Sequence, residues 1–131
     1  MRITPELIEK MVVHAQADAP DECCGIVAMR DGVATEVYRA RNIHESALRF
    51  EIDPQDQIRI WGEIDKAGHE IGALYHSHTR SPPYPSQTDI NMARPWPGTV
   101  WIIVGLAGEA PEVKAYDIVD GRVQEAELAA P

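Results

Sequence analysis

Cysteine is scarce in this 131-residue chain: there are only two, Cys23 and Cys24, and they are adjacent. A bridge between neighbours would be strained and would close almost no loop, so a disulfide-stapled fold is excluded. The pair reads instead as two reduced thiols, buried as small apolar side chains in a strand. Basic residues are also few, with 12 Lys+Arg against 21 Asp+Glu and a net charge of -9. Such a surface repels phosphate backbones and anionic headgroups, which argues against nucleic acid and membrane as partners. No run approaches the ~18 apolar residues of a membrane span, and the start MRITPELIEK lacks the apolar core of a signal peptide, so a cytoplasmic protein is expected. Repeats, low-complexity tracts and linkers are missing as well. What is present, 44% hydrophobic and 25% charged residues, is ordinary globular material and predicts one domain over residues 1–131.

Thr4-Pro5 opens a helix, Thr as cap and Pro at the first helical position, and Leu7, Ile8, Met11, Val12 and Ala15 recur at helical spacing up to about Ala19. The apolar run Cys23–Met29, closed by Asp31-Gly32, predicts a buried strand that turns into a hairpin with Val33–Ala40. A third strand is expected at Ala47–Ile52. Pro54 then opens a second helix with Ile60, Trp61, Ile64 and Ala67 on one face, ended by Gly68. Ile71–Tyr75 reads as a strand running into His76-Ser77-His78 and a proline-rich loop, Thr79–Pro85. A short helical piece from about Ser86 to Ala93, a strand at Thr99–Leu106, and a hairpin of Val113–Val119 with Val123–Leu128 complete the chain. Trp61, Trp96 and Trp101 read as core or near-core, and His14, His44 and His69, with no partner at ligand spacing, as structural or solvated. Six or seven strands and three helices in mixed order predict an α/β (α+β) domain.

Side chains alternate along a strand, so His76 and His78 leave the same face while Tyr75 and Ser77 leave the other. Two imidazoles one pleat apart can reach one metal. Eight residues beyond His78, Ser86-Gln87-Thr88-Asp89 has the spacing of a capping box, which would also hold a hydroxyl and a carboxylate rigidly on a first helical turn. Two histidines and one aspartate form a three-ligand set suited to zinc with the fourth position open, as in catalytic rather than structural sites. The pattern H-x-H-x7-S-x2-D arises by chance in this composition with a probability of about 3 in a million per starting position, so it carries weight.

These residues resemble the signature of the JAMM (MPN-plus) zinc metalloproteases, whose pattern adds an upstream glutamate before a Cys-Gly strand. Here that segment is Pro20-Asp21-Glu22-Cys23-Cys24-Gly25, so the family's general base falls on Glu22. The resemblance implies a curved mixed β-sheet flanked by helices, similar to zinc cytidine deaminases. It implies one Zn2+ per chain on His76, His78 and Asp89. Glu22 would take a proton from the attacking water and return it to the leaving amine, and Ser86 would hydrogen-bond the developing oxyanion. Through YHSHTRSPPYPSQTDINMA the chain is most similar to the short bacterial type, the Mec+-like hydrolases. These release cysteine from the C-terminal glycine of a ubiquitin-like sulfur-carrier protein in cysteine biosynthesis. A Gly-Gly tail suits a narrow groove, with Arg80 and Tyr84 of the proline-rich loop as candidates to line it. A homodimer is a working expectation that the sequence does not specify.

A catalytically inactive MPN-type scaffold is the alternative reading, and such proteins usually lose a ligand that this chain retains. A DNA-repair-associated RadC type would begin its motif His-Asn-His-Pro-Ser-Gly, which is absent. Nucleobase deamination would need H-x-E with P-C-x-x-C, and the only cysteines precede the histidines.

Overall fold

The computed structural model describes all 131 residues. Helix α1 (Pro5–Asp18) begins where the sequence signals it: Thr4 caps the Leu7 N–H and Pro5 occupies the first turn, a cap worth about 1 kcal/mol. Strands β1 (Cys24–Arg30) and β2 (Val33–Ala40) form the expected hairpin, with Asp31 and Gly32 at positive φ in its turn. Then come α2 (Pro54–Lys66), β3 (Glu70–His78), α3 (Gln87–Met92), β4 (Val100–Gly105), β5 (Glu112–Val119) and β6 (Arg122–Ala126). The six strands lie in the order β2-β1-β3-β4-β5-β6, and only β3 and β4 run parallel.

The sheet buries both faces, which is why β1, β3 and β4 read as near-continuous apolar runs rather than alternating ones. On one face α1 packs Met11, Val12 and Ala15 against Val27, Ala73, Tyr75, Ile102 and Val104. On the other, Ile60 and Ile64 of α2 cover Ile26, Leu74, Trp101 and Ile103. A mixed sheet flanked by helices is thus the observed α+β architecture.

Two expectations are corrected. Ala47–Ile52 is not a strand; only Ile52 makes a lone bridge to Asn42. Its alternating apolar residues reflect anchoring, because Phe50 and Ile52 plug into the core beneath α2 while the backbone around them bonds to the Asn42 side chain and to the Arg41 and Ile43 backbone just after β2 rather than to a neighbouring strand. Trp61 is also not core: it is 39% exposed and meets Trp96 edge-on, while Ala67 is exposed near the helix end. Trp101 is fully buried, as expected, and Trp96 half-buried.

No helix is long and apolar enough to cross a membrane.

Candidate metal centre

The register between β1 and β3 builds the site. Cys24 lies opposite His76 in this antiparallel pair, so Glu22, two residues earlier, lies toward His78 on the same face. The intervening pair faces away: the Ser77 hydroxyl accepts the Cys23 N–H at 2.8 Å, and the Cys23 carbonyl accepts the Ser77 N–H. Tyr75 also points to the α1 side, where its hydroxyl lies 2.7 Å from His14 Nδ1. The alternation predicted for 75–78 is therefore present.

The helix α3 delivers the aspartate. Ser86 and Asp89 form the full capping box: Ser86 Oγ accepts the Asp89 N–H at 3.1 Å, and Asp89 Oδ2 accepts the Ser86 N–H at 2.9 Å. The same Oδ2 stands 3.1 Å from His76 Nε2 and 3.1 Å from His78 Nε2, which are themselves 3.2 Å apart. Three donor atoms thus form a nearly equilateral triangle. A tetrahedral zinc with bonds of about 2.0–2.1 Å holds its ligand atoms about 3.3–3.4 Å apart, so this triangle is the face of such a polyhedron to within a few tenths of an ångström. His78 Nδ1 donates to the Pro82 carbonyl at 2.9 Å, which fixes the tautomer and leaves the Nε2 lone pair directed at the centre.

Glu22 stands slightly back. Its carboxylate and the two imidazoles lie within 4.8 Å of one another, a grouping that could itself hold a metal. Asp89 is the better third donor, because its 3.1 Å spacing matches a ligand edge.

Burial is deep, and it sets the charges. His76 is fully buried, Asp89 and His78 nearly so, and Glu22 is 5% exposed. Burial pushes the Glu22 carboxyl up to about 7, with the Asp89 charge adding to the rise and His78 opposing it. Oε1 of Glu22 has no hydrogen-bond partner. Burial works to raise Asp89 too, but its contacts with both imidazoles and the hydrogen bond from the Ser86 N–H hold it well below the usual carboxylate range. Burial lowers His76; at His78 burial is outweighed by the bonds to Asp89 and Pro82, and the net shift is upward. Neutral His76 beside ionised Asp89 is the protonation state a metal ion requires of its ligands, and His78, whose shift favours the charged form, would give up its proton on metal binding.

The structure brings together five of the seven residues singled out in the sequence: Glu22, His76, His78, Ser86 and Asp89. Arg80 is exposed, and Tyr84 is exposed with its ring edge-on to Tyr116. Sequence reasoning missed Phe50, whose ring stacks on His76, and Asn42, whose side chain binds the Glu22 carbonyl. His14 and His69 are structural, bonded to Tyr75 and Thr35, and His44 pairs with Glu51 at 3.4 Å.

The family model for prokaryotic homologs of the JAB domain matches residues 4–119. The chain belongs to that family. This JAB-domain chain is 32% identical over 126 residues to the CysO-cysteine peptidase of Mycobacterium tuberculosis, covering 94% of this chain and 86% of the relative. It is 28% identical over 107 residues to the desampylase of Pyrococcus furiosus, covering 82% and 76% of the two chains. The solution structure of protein DSY2949 from Desulfitobacterium hafniense superposes on the JAB-domain chain with a TM-score of 0.89 at 30% identity, covering 99% of this chain and 92% of that one.

Proposed function

We propose that this protein is a zinc-dependent metallopeptidase that hydrolyses the amide after the C-terminal glycine of a ubiquitin-like sulfur-carrier protein, releasing cysteine. The observation that carries the reading is the triangle of His76 Nε2, His78 Nε2 and Asp89 Oδ2 beside a buried carboxyl. In this reading His76, His78 and Asp89 hold one Zn2+ per chain. Bound there, zinc would supply a Lewis acid for the scissile carbonyl and make water a competent nucleophile near neutral pH.

The remaining work belongs to the chain. Glu22, pushed up to about 7 by burial, accepts a proton from the attacking water and returns it to the departing amine; a base poised near the working pH does both efficiently. Ser86 Oγ spends an acceptor lone pair on the Asp89 N–H and keeps its own proton free to donate to the developing oxyanion. Arg80 and Tyr84, exposed on the loop that follows His78, flank the path of a Gly-Gly tail. Two buried free thiols accord with work in a reducing compartment such as the cytoplasm.

The name of the mycobacterial relative supports cysteine as the leaving group, and that of the archaeal relative supports an amide at the end of a protein modifier more broadly. A panel of two conjugates tests the choice: one carrier bearing C-terminal cysteine, the other the same carrier joined to a lysine side chain. Faster turnover of the cysteine conjugate bears out the reading. Cleavage of the lysine conjugate alone would move the protein to isopeptide removal.

A further inference from the structure

Asn42, just beyond the end of β2, is buried at 6% exposure, and its amide is fully engaged. The Nδ2 group donates to the Glu22 carbonyl at 3.1 Å and to the Arg49 carbonyl at 3.0 Å. Oδ1 accepts the His44 N–H and the Glu51 N–H, both at 3.1 Å. Every hydrogen-bonding position this geometry can offer is used, and the two carbonyls on one side and two N–H groups on the other leave one orientation for the amide.

These four bonds span the site. One reaches the backbone of Glu22 itself, and the Glu22 N–H in turn bonds to the Ser46 carbonyl at 2.7 Å, inside the loop that Asn42 closes. The bonds at Arg49 and Glu51 bracket Phe50, whose ring is stacked on His76. Glu22 precedes β1 and so lacks the ladder that fixes Cys24 onward. Its backbone is held by the 42–51 loop, which is closed by the Ile43 N–H to Glu51 carbonyl bond at 3.0 Å and by the four bonds of the Asn42 side chain; of these, only the side chain also reaches Glu22.

We infer that Asn42 is a positioning residue for the reaction: it sets the place of the Glu22 carboxyl relative to the two imidazoles by tying the Glu22 backbone to the loop that carries Phe50. The inference rests on the catalytic reading of Glu22 given above. It also makes a claim about the resting protein that needs no substrate. Asn42 makes no hydrogen bond to His76, His78 or Asp89, so metal stoichiometry is separable from base placement.

The experiment compares Asn42→Asp and Asn42→Ser with the parent. Asn42→Asp keeps size and the two accepting contacts but turns an oxygen toward the Glu22 and Arg49 carbonyls. Amide hydrogen exchange, read without substrate, is expected to quicken ten-fold or so at Glu22, His44 and Glu51, with β3 and β4 unchanged. Zinc stoichiometry is expected to stay at the parental level. On the carrier–cysteine conjugate kcat is expected to fall about ten- to a hundred-fold with KM within about two-fold, the mark of a misplaced base rather than lost binding. Added to Glu22→Gln, either substitution should cost almost nothing more, because the group it positions is already gone. Unchanged exchange at Glu22 in Asn42→Asp overturns the inference whatever the substrate proves to be. So does a full multiplicative loss in the double variant, or unfolding of both variants throughout the sheet, which would make Asn42 a residue of the fold at large. Failure of the parent to cleave any conjugate, with the exchange changes present, counts against the proposed function and not against the placement.

Discussion

The phenyl ring of Phe50 lies flat against the imidazole of His76, centroids 4.3 Å apart and planes 22° from parallel. A residue from the loop before α2 thereby forms one wall of a histidine that β3 supplies. Phe50 is 2% exposed and also leans on Trp101, so the ring is held in turn.

Phe50→Ala should cost about 3–5 kcal/mol through lost burial and the cavity left behind, and Phe50→Leu distinctly less. Because His76 loses its backing in both, metal affinity should fall in the same order. Urea denaturation of metal-free protein paired with a competitive zinc titration separates the two effects. Equal zinc affinity across the series would show that the ring contributes stability alone.

Gly105 pairs with His78 across β3 and β4, and a Cβ there would stand 2.7 Å from Pro83 Cδ. Pro83 cannot yield freely, because its carbonyl accepts the Tyr116 hydroxyl and its neighbour Pro82 accepts from His78 Nδ1. Gly105→Ala is expected to push this loop outward and weaken zinc binding about ten-fold or more, the usual scale for an outer-shell contact of a metal-bound histidine. Retention of parental affinity would mean that Pro82 does not hold the His78 tautomer.

Glu22 gives a pH dependence in metal-free protein. Its folded-state pKa, about 7, lies above its ordinary value of 4.5, so the burden of an ionised buried carboxylate is present above about pH 7 and disappears as pH falls toward 4.5. Glu22→Gln should therefore raise the melting temperature at pH 8 and leave it nearly unchanged at pH 4.5. A difference independent of pH would show that Glu22 is not ionised at the cost of stability.

Cys23 is pushed up to about 12 by burial, with the Ser77 hydrogen bond opposing the rise, and Cys24 is raised as well. Both thiols stay protonated at pH 8 and should resist iodoacetamide until the chain unfolds. Raised thiol pKa values also mean that stability is complete below about pH 8.5, where the unfolded thiols are still protonated, and declines as pH rises above that value. Rapid alkylation of native protein at pH 8 would contradict this.

Local periodicity made most of this structure legible. The Thr4-Pro5 cap, the Asp31-Gly32 turn and the Ser86–Asp89 box are each written within a few residues, and each appears where the sequence signals it. The alternation of His76 and His78 is equally local. What escaped reading is long-range. Apolar alternation at 47–52 suggests a strand, but those side chains serve as plugs, and the backbone of the loop finds its partners in the Asn42 amide and in the Glu22 and Ile43 N–H groups. Trp61 fits the helical stripe yet falls at its exposed rim, where its ring meets Trp96 edge-on. Glu22 is identified by resemblance, since an acid ahead of a strand carries no signal of its own; the register that sets it near His78 is fixed next door, where Cys23 bonds to Ser77, 54 residues along the chain.

The proposed function requires Glu22 to act on water at a metal held by His76, His78 and Asp89. The most direct test is intact-mass analysis of a sulfur-carrier–cysteine conjugate incubated with zinc-loaded protein, with Glu22→Gln, His78→Ala and a chelator in parallel. The expected result is loss of one cysteine with the parent, none with the chelator, zinc retained but turnover reduced at least about a hundred-fold in Glu22→Gln, and both zinc and activity lost in His78→Ala. Near-parental turnover by Glu22→Gln, or an intact conjugate after incubation with parent protein carrying stoichiometric zinc, would contradict it.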